Sequence, residues 1–222
     1  MKLYLIRHGE TDYTESQRLC GITDAPLNRR GIAQAKKLNK QLRHEKDMVI
    51  YCSPLSRAMQ TARIIAGNDR EKLIIKCPEL KETNLGRWEG LTFEEIRKRF
   101  PGAIRRWVKN PLTFGAPGGE KLKQLQKRVK RFFKRLECAN HNGHPPLRSY
   151  GMAKDGCAVA VVSHSGPIRI ILGEISGKGL NGFWETEPKT GCLINANFTA
   201  PTLRSGLRSR YAKTQRTQRK IK

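Results

Sequence analysis

Short apolar runs alternate with segments of helical periodicity over the first 77 residues of the chain. Residues 2–6 are nearly all apolar, which predicts a β-strand that is buried on both faces. Within residues 27–45, apolar side chains recur at the three- and four-residue spacing of an amphipathic helix. The same alternation predicts a strand at 47–53, a helix at 54–67 and a strand at 72–77. Strands joined by helices favour a largely parallel sheet with right-handed crossovers, so the fold class is α/β.

The middle of the chain, residues 78–140, has mainly helical signals. Thr92-Phe93-Glu94-Glu95 resembles a capping box that opens a short helix. Residues 120–137 predict a longer helix with a dense cationic face, and its opposite, apolar face carries Leu122, Leu125, Val129, Phe132 and Leu136. We interpret this middle part as a helical insert or lid on the sheet.

The last third of the chain predicts two more strands and a basic tail. Residues 140–156 are rich in Gly, Pro, Asn and Ser, which is typical of a loop. A buried strand, a helix and a final strand are expected at 157–163, from there to about Gly177, and at 192–198. From Pro201 onward the sequence has no acid and little apolar content, so we expect disorder. The organisation is therefore one domain at 1–200 followed by a basic tail at 201–222.

Composition narrows the class of protein. The chain has 222 residues, of which 37% are hydrophobic and 28% charged, as expected for one globular domain. No apolar stretch approaches the roughly 20 residues of a membrane helix, and the N-terminus lacks a secretion signal, so we expect a cytoplasmic protein without a membrane partner. Six cysteines occur without a C-x-x-C pair, which favours free thiols over a disulfide framework or a metal site. We expect neither a metal nor a cofactor.

The charge is unusual. Lys and Arg number 44 against 19 for Asp and Glu, which gives a formal net charge of +25. A field of this sign attracts anions, but it does not distinguish phosphorylated metabolites from nucleic acid.

Candidate chemistry lies at the ends of the predicted strands. Ligands of a parallel sheet bind outside the carboxyl ends of its strands. The first strand ends at Arg7 and His8, the fourth ends at His164, and Arg57 lies in the first turn after the second strand. Two arginines beside two histidines fit a phosphoryl group, whose oxygens accept bidentate bonds from guanidinium. We expect His8 to attack phosphorus through a neutral ring nitrogen while a backbone carbonyl holds the other, with Gly9 allowing the tight turn.

A leaving alkoxide also needs a proton. The segment "PELKETNLGRWEG" offers Glu79, Glu82 and Glu89, and the residues alone do not choose among them.

Five segments of the chain, in order, resemble one protein family. These segments are "LIRHGET", "DAPLNRRGIAQA", "YCSPLSRAMQTA", "LKETNLGRWEG" and "VVSHSGPIR", which together span about residues 3 to 170. They resemble the histidine phosphatase superfamily, also called phosphoglycerate mutase-like. The resemblance implies a three-layer α/β/α sandwich with a mostly parallel central sheet and a phosphohistidine mechanism that needs no metal.

The resemblance also implies roles for individual residues. His8 would be the nucleophile, and Glu82 the proton donor and later the base. Arg7, Arg57 and His164 would clamp the phosphate as members of the catalytic set. The implied substrate-binding residues are Arg7, Thr14, Arg57, Glu82, His164 and Ser165.

Two positions depart from the family pattern. Members commonly carry asparagine where this chain has Thr14, which still offers one hydroxyl donor for the phosphate. The family's "PGGES" is "PGGEK" here, so Lys121 replaces a serine that would cap the following helix and adds charge near the expected pocket mouth.

Three functions are weighed. The first is a phosphomonoesterase for a small phosphorylated metabolite, of the α-ribazole, broad-specificity or sugar-phosphate type. The second is a phosphoglycerate mutase, an isomerase; cofactor-dependent mutases of the family carry a basic, proline-rich insertion that this chain lacks. The third is a nucleic-acid-binding protein, which rests on charge alone. A homodimer is a further expected assembly. Phe183 and Trp184 either stack on a substrate ring or belong to the core.

Overall fold

Five strands form one sheet in the part of the chain that the computed structural model describes, residues 2–46, 48–67, 72–141 and 158–197. The strands are β1 (Lys2–Arg7), β2 (Val49–Cys52), β3 (Leu73–Lys76), β4 (Ala158–Ser163) and β5 (Leu193–Asn197). Their order is β3-β2-β4-β1-β5. The first four are parallel, and β5 runs antiparallel to β1 along one edge. The mostly parallel sheet predicted from the apolar runs is confirmed.

Helices connect the strands and fill the middle of the chain. They are α1 (Asp12–Glu15), α2 (Arg29–Leu42), α3 (Ser56–Ala66), α4 (Phe93–Arg99), α5 (Ala103–Lys109), α6 (Leu122–His141) and α7 (Ser165–Ile175). Short 3-10 turns occur at Pro78–Leu80, Gly86–Trp88 and Gly179–Gly182. The predicted loop begins too early, because α6 continues to His141. The rest of that loop, and the predicted tail at 201–222, lie outside the described residues.

Alternate strand residues separate into two cores, one on each face of the sheet. Leu3 and Leu5 of β1 pack in a cluster with α6 and α7, whereas Tyr4 and Ile6 pack in a second cluster with α2 and α3. This alternation follows from the two-residue period of a strand. Helices thus cover both faces, and the three-layer α/β/α sandwich is confirmed.

The middle segment is helical and has a small core of its own. Trp88, Leu91 and Ile96 form that core with residues of α5 and the following loop. Thr92 caps α4, because Glu95 N donates to its hydroxyl (3.2 Å) while Thr92 N donates to the Glu95 carboxylate (2.7 Å). The predicted capping box is confirmed. The apolar face predicted for α6 is buried throughout, at Leu122, Leu125, Val129, Phe132 and Leu136.

A pair of glycines lets the end of β1 pack closely on α2. A side chain at Gly9 would collide with the backbone of Gly31, and a side chain at Gly31 would collide with the backbone of Glu10. The requirement for glycine after His8 therefore comes from this close backbone approach and not from a left-handed turn.

Two expectations from composition can be checked on the described residues. Cys52 and Cys77 are buried free thiols, and burial raises the pKa of Cys77 to about 11. Cys20 and Cys192 are also free but only half-buried. Among the residues described, no helix combines the length and apolar character that crossing a membrane requires.

Candidate active site

Four side chains meet at the carboxyl ends of the central strands. Arg7 and His8 leave β1, His164 follows β4, and Arg57 lies in the first turn of α3 after β2. The His8 and His164 ring centroids are 5.0 Å apart, and Arg57 Nε lies 3.3 Å from His8 Nε2. The structure therefore brings together the four residues that the strand ends singled out. We call Arg7, His8, Arg57 and His164 the strand-edge cluster.

The His8 ring is held from both sides in one tautomer. Its Nδ1 lies 2.7 Å from the Gly9 carbonyl oxygen, which can only accept, so Nδ1 carries the proton. Its Nε2 has one lone pair, which accepts from the Nε–H of Arg57 at 3.3 Å, so this hydrogen bond has to break before Nε2 can attack another atom. Burial, together with the charges of Arg57 and Arg7, holds the pKa of His8 well below its ordinary value. His8 is thus a neutral imidazole whose Nε2 is the unprotonated ring nitrogen.

His164 is equally buried and is oriented by a serine. Its Nε2 lies 2.8 Å from Ser53 Oγ, which also accepts a hydrogen bond from Leu55 N. Burial, with the nearby Arg57 charge, holds the pKa of His164 well below its usual value. When Ser53 donates to Nε2, the single ring proton sits on Nδ1, where it can be donated to an anion.

Arg57 is completely buried and organises the loop around residue 21. Its Nη1 donates to Thr23 O (2.8 Å), and its Nη2 donates to Gly21 O (2.6 Å) and Cys20 O (3.3 Å). This guanidinium therefore holds both the His8 ring and a neighbouring loop.

Buried donors without partners mark the same place. Among the described residues, the buried side-chain nitrogens without a hydrogen-bond partner are Arg7 Nε, His164 Nδ1, Arg169 Nε and Trp88 Nε1. Arg7 is otherwise held by Pro188, whose carbonyl oxygen accepts from Nη1 at 2.7 Å. A buried donor left unpaired costs about 1–3 kcal/mol. Oxygens of a bound anion would satisfy those of Arg7 and His164.

Glu82 lies beside the first turn of α7. Its Oε1 accepts from Thr83 N (2.8 Å) and Thr83 Oγ1 (3.2 Å), and its Oε2 accepts from Gly166 N at 3.2 Å. A side chain at position 166 would collide with the Glu82 carboxylate, so glycine there permits the approach. Oε2 accepts one hydrogen bond where Oε1 accepts two, so it retains a lone pair for a proton.

The two other candidate acids are engaged elsewhere. Glu79 forms an ion pair with Arg135 at 2.8 Å on the outside of the segment. Glu89 accepts hydrogen bonds from four donors on two loops, namely Ile22 N, Thr23 N, Leu85 N and the Thr23 hydroxyl. The three glutamates thus differ in their partners, and Glu82 is the one that lies beside the first turn of α7.

Three further positions considered from the sequence are Thr14, Ser165 and Lys121. Thr14 donates its hydroxyl to Thr11 O (2.8 Å) and accepts from Thr11 N (2.9 Å), so its one donor is engaged in the cap of α1. Ser165 is half-buried as the first residue of α7. At Lys121, where the capping serine is missing, the backbone N donates to Gln124 Oε1 at 2.7 Å.

Phe183 and Trp184, which could either stack on a substrate ring or belong to the core, differ in burial. Phe183 is buried in the core, whereas Trp184 is 44% exposed and packs edge-on against Trp107, with ring centroids 5.4 Å apart. The Arg169 guanidinium lies 5.4 Å from the Phe183 ring centroid and 5.5 Å from that of Trp184. We did not single out Arg169 from the sequence, although it ends the quoted segment "VVSHSGPIR".

Asp24 is another residue that sequence reasoning missed. Its carboxylate accepts from Ser56 N (2.6 Å) and Ser56 Oγ (2.7 Å), which caps the helix that carries Arg57. A carboxylate 32 positions upstream gives no local capping signal, so the pattern around Ser56 could not have revealed it.

Comparison with known proteins identifies the family. The sequence model of the "Histidine phosphatase superfamily (branch 1)" matches residues 3–205. The chain belongs to the histidine phosphatase superfamily. It is accordingly a phosphomonoesterase of the histidine phosphatase type, and enzymes of this kind need no metal.

Relatives agree with this placement. The chain is 34% identical to "Phosphoserine phosphatase 1" of Hydrogenobacter thermophilus, over 83% of this chain and 80% of the relative. It is 29% identical to the "Adenosylcobalamin/alpha-ribazole phosphatase" of Escherichia coli, over 92% and 94% of the two chains. The crystal structure of the alpha-ribazole phosphatase from Shigella flexneri superposes with a TM-score of 0.75 at 27% identity, covering 90% of this chain and 92% of the other.

Proposed function

We propose that this histidine phosphatase hydrolyses a small phosphorylated metabolite in two displacements through a phosphohistidine at His8. The observation that carries the proposal is the His8 tautomer, which is fixed by an acceptor on Nδ1 and a donor at Nε2. The cations of Arg7 and Arg57 would neutralise the phosphoryl oxygens that otherwise repel a nucleophile.

In the first displacement, the lone pair of His8 Nε2 forms a bond to phosphorus as the bond from phosphorus to the ester oxygen breaks. Glu82 gives its proton to the departing oxygen, which leaves as an alcohol. The unpartnered Arg7 Nε and His164 Nδ1 are the donors best supported for the phosphoryl oxygens.

In the second displacement, water attacks the phosphorus of phosphohistidine. The Glu82 carboxylate takes the proton of that water, and the electron pair of the phosphorus–nitrogen bond returns to Nε2. Inorganic phosphate leaves, and both residues regain their starting protonation states.

The first experiment tests the intermediate. Rapid-quench labelling with [³²P]p-nitrophenyl phosphate should give acid-labile, base-stable label on His8. His8→Ala should remove both the label and the turnover while leaving the thermal unfolding transition in place. A matched His44→Ala variant changes a histidine whose side chain is 64% exposed, and it should label normally. Label on another residue would contradict the proposal, and interconversion of 3- and 2-phosphoglycerate faster than hydrolysis would favour a mutase.

For the substrate, we propose a phosphomonoester that carries a second acidic group. Arg169 lies one helical turn after Ser165 on α7, half-buried between the rings of Phe183 and Trp184. Its buried Nε has no partner among the described residues. Glu187 and Glu82 are close enough to oppose the lowering of the Arg169 pKa that burial causes. A carboxylate on the substrate would pair with the planar guanidinium through two hydrogen bonds.

O-phosphoserine and O-phosphoethanolamine test this proposal because they differ by one carboxylate. We expect the ratio of their kcat/KM values to favour phosphoserine and to fall by roughly 10- to 100-fold in Arg169→Gln, as expected for losing a charged hydrogen bond. Lys178→Gln is the control, since it removes the same charge from an exposed lysine that pairs with Glu185. Equal losses for both esters would mean that Arg169 contacts the phosphate instead.

A further inference from the structure

The backbone around Glu82 is held by hydrogen bonds from one side chain of α6, Arg128. Arg128 Nη1 donates to Glu79 O and to Lys81 O, both at 2.6 Å. Its Nη2 donates to Glu82 O at 2.9 Å. A single guanidinium therefore binds three carbonyl groups within four consecutive residues, which limits how this stretch can shift or rotate.

The same guanidinium is fixed on its other side by Glu120. Arg128 Nε and Nη2 donate to the two carboxylate oxygens of Glu120, each at 2.8 Å, in the bidentate geometry that guanidinium favours. The Glu120 backbone N donates to Asn84 O at 2.7 Å. The side chains of Arg128 and Glu120 are both only 15% exposed. Residues 79–84, which we call the Glu82 segment, are thus held at both ends by this ion pair.

These hydrogen bonds from Arg128 fix the backbone from which the Glu82 carboxylate extends. The Glu82 carbonyl is held by Arg128, while the Glu82 carboxylate is held by Thr83 and by the first turn of α7. General acid catalysis requires the acid to be within hydrogen-bond distance of the leaving oxygen. A shift of the backbone by about 1 Å would break that geometry.

We propose that Arg128 is a positioning residue for proton donation by Glu82, without contact to the substrate. The inference rests on the proposed role of Glu82. It also separates Arg128 from the other cations of α6. Lys123, Lys127, Arg131 and Lys134 are exposed, and Lys130 and Arg135 pair with the carboxylates of Glu174 and Glu79.

The test compares Arg128→Gln with Arg135→Gln. Arg135 is on the same helix and also contacts the Glu82 segment, but only through the Glu79 carboxylate, and its side chain is 56% exposed. With an alkyl phosphate such as glycerol 3-phosphate, whose leaving group needs a proton, kcat/KM should fall about 100-fold in Arg128→Gln. With p-nitrophenyl phosphate, whose leaving group needs none, kcat/KM should change less than about threefold, because kcat/KM reports the first displacement and not the later hydrolysis of phosphohistidine, which is common to both esters. Arg135→Gln should stay within about twofold for both esters.

Arg128→Lys supplies a second variant if glutamine disturbs folding. Lysine keeps the charge but cannot bind several carbonyls and a carboxylate in one plane, so it should show the same preference for the good leaving group at smaller amplitude. Thermal unfolding of each variant checks that the comparison is made on folded protein.

A double-variant cycle separates positioning from a general structural role. If Arg128 acts through Glu82, adding Arg128→Gln to Glu82→Gln should cause little further loss with the alkyl phosphate. The inference would be overturned if the fold-losses of the two single variants multiplied in the double variant. It would also be overturned if Arg128→Gln lowered kcat/KM equally for both esters. If Glu82→Gln itself lacks leaving-group dependence, the proposed function of Glu82 fails instead, so the two failures are distinguishable.

Discussion

The strand-edge cluster and the Glu82 segment are held in place by different means. His8, Arg57 and His164 are at most 4% exposed, and they follow strands whose register is fixed by the central sheet. Glu82 is only partly buried, and its segment depends on side-chain contacts from α6 and on the start of α7. The residues proposed to act on phosphorus are therefore part of the buried core, whereas Glu82, the proposed proton donor to the leaving oxygen, lies in a less buried segment.

This difference indicates how substrate scope can vary without loss of the reaction. The phosphoryl group is common to every phosphomonoester, and the residues proposed to bind it lie where the sheet tolerates little change. The leaving group differs between substrates, and in the proposed mechanism it would face the less buried side that includes Glu82, Arg169 and Trp184. Changes to the first region should cost both folding and chemistry, while changes to the second should cost mainly chemistry.

The largest expected effect comes from Arg57→Gln. Arg57 is fully buried, and losing its bonds to the Gly21 and Thr23 carbonyls would leave one buried and one half-buried acceptor unpaired. We expect the free energy of unfolding to fall by about 3 kcal/mol, on the basis of about 1–3 kcal/mol for each unsatisfied group. Turnover should fall with every ester, because the cation beside His8 Nε2 is gone. Chemical denaturation and kcat with p-nitrophenyl phosphate measure the two effects.

Two variants calibrate that result. Arg63→Gln changes an exposed arginine on the same helix, α3, and should alter neither measurement appreciably. Arg128→Gln should destabilise less than Arg57→Gln, since its carbonyl partners lie where water can replace the lost donor. Equal destabilisation by Arg57→Gln and Arg128→Gln would contradict the distinction between the strand-edge cluster, which is part of the core, and the less buried Glu82 segment.

The strand-edge cluster could be predicted from the sequence better than the contacts of the Glu82 segment. Buried strands can be recognised in a sequence as apolar runs, and the carboxyl ends of parallel strands lie at one edge of the sheet. The proximity of Arg7, His8, Arg57 and His164 could therefore be predicted from local pattern and topology. The capping box at Thr92 is likewise local.

Contacts between distant segments could not be predicted in the same way. The sequence gives no sign that Arg128, a residue of the cationic face of α6, turns toward the backbone of residues 79–82, 46 or more positions earlier. The engagement of Thr14 within its own helix cap depends on backbone geometry that composition does not contain. Nucleic-acid binding and a homodimer stay predictions, because charge alone suggests the first and the described contacts lie within one chain.

The smallest expected effect is a pH dependence of stability that belongs to the strand-edge cluster. The folded-state pKa values of His8 and His164 lie well below the ordinary value near 6.5, mainly through burial. Below pH 6.5 the unfolded chain binds two protons that the folded chain does not, so stability falls as pH decreases, by about 1.4 kcal/mol per pH unit for each histidine. Above pH 7 these residues contribute no pH dependence to stability, because both are neutral in either state.

Replacing His164 with glutamine should remove about half of this pH dependence of stability between pH 6.5 and 5.5, measured by denaturant unfolding. An unchanged slope would mean that the buried imidazole takes up its proton without unfolding, which contradicts the neutral nucleophilic cluster and leaves the Glu82 segment unaffected.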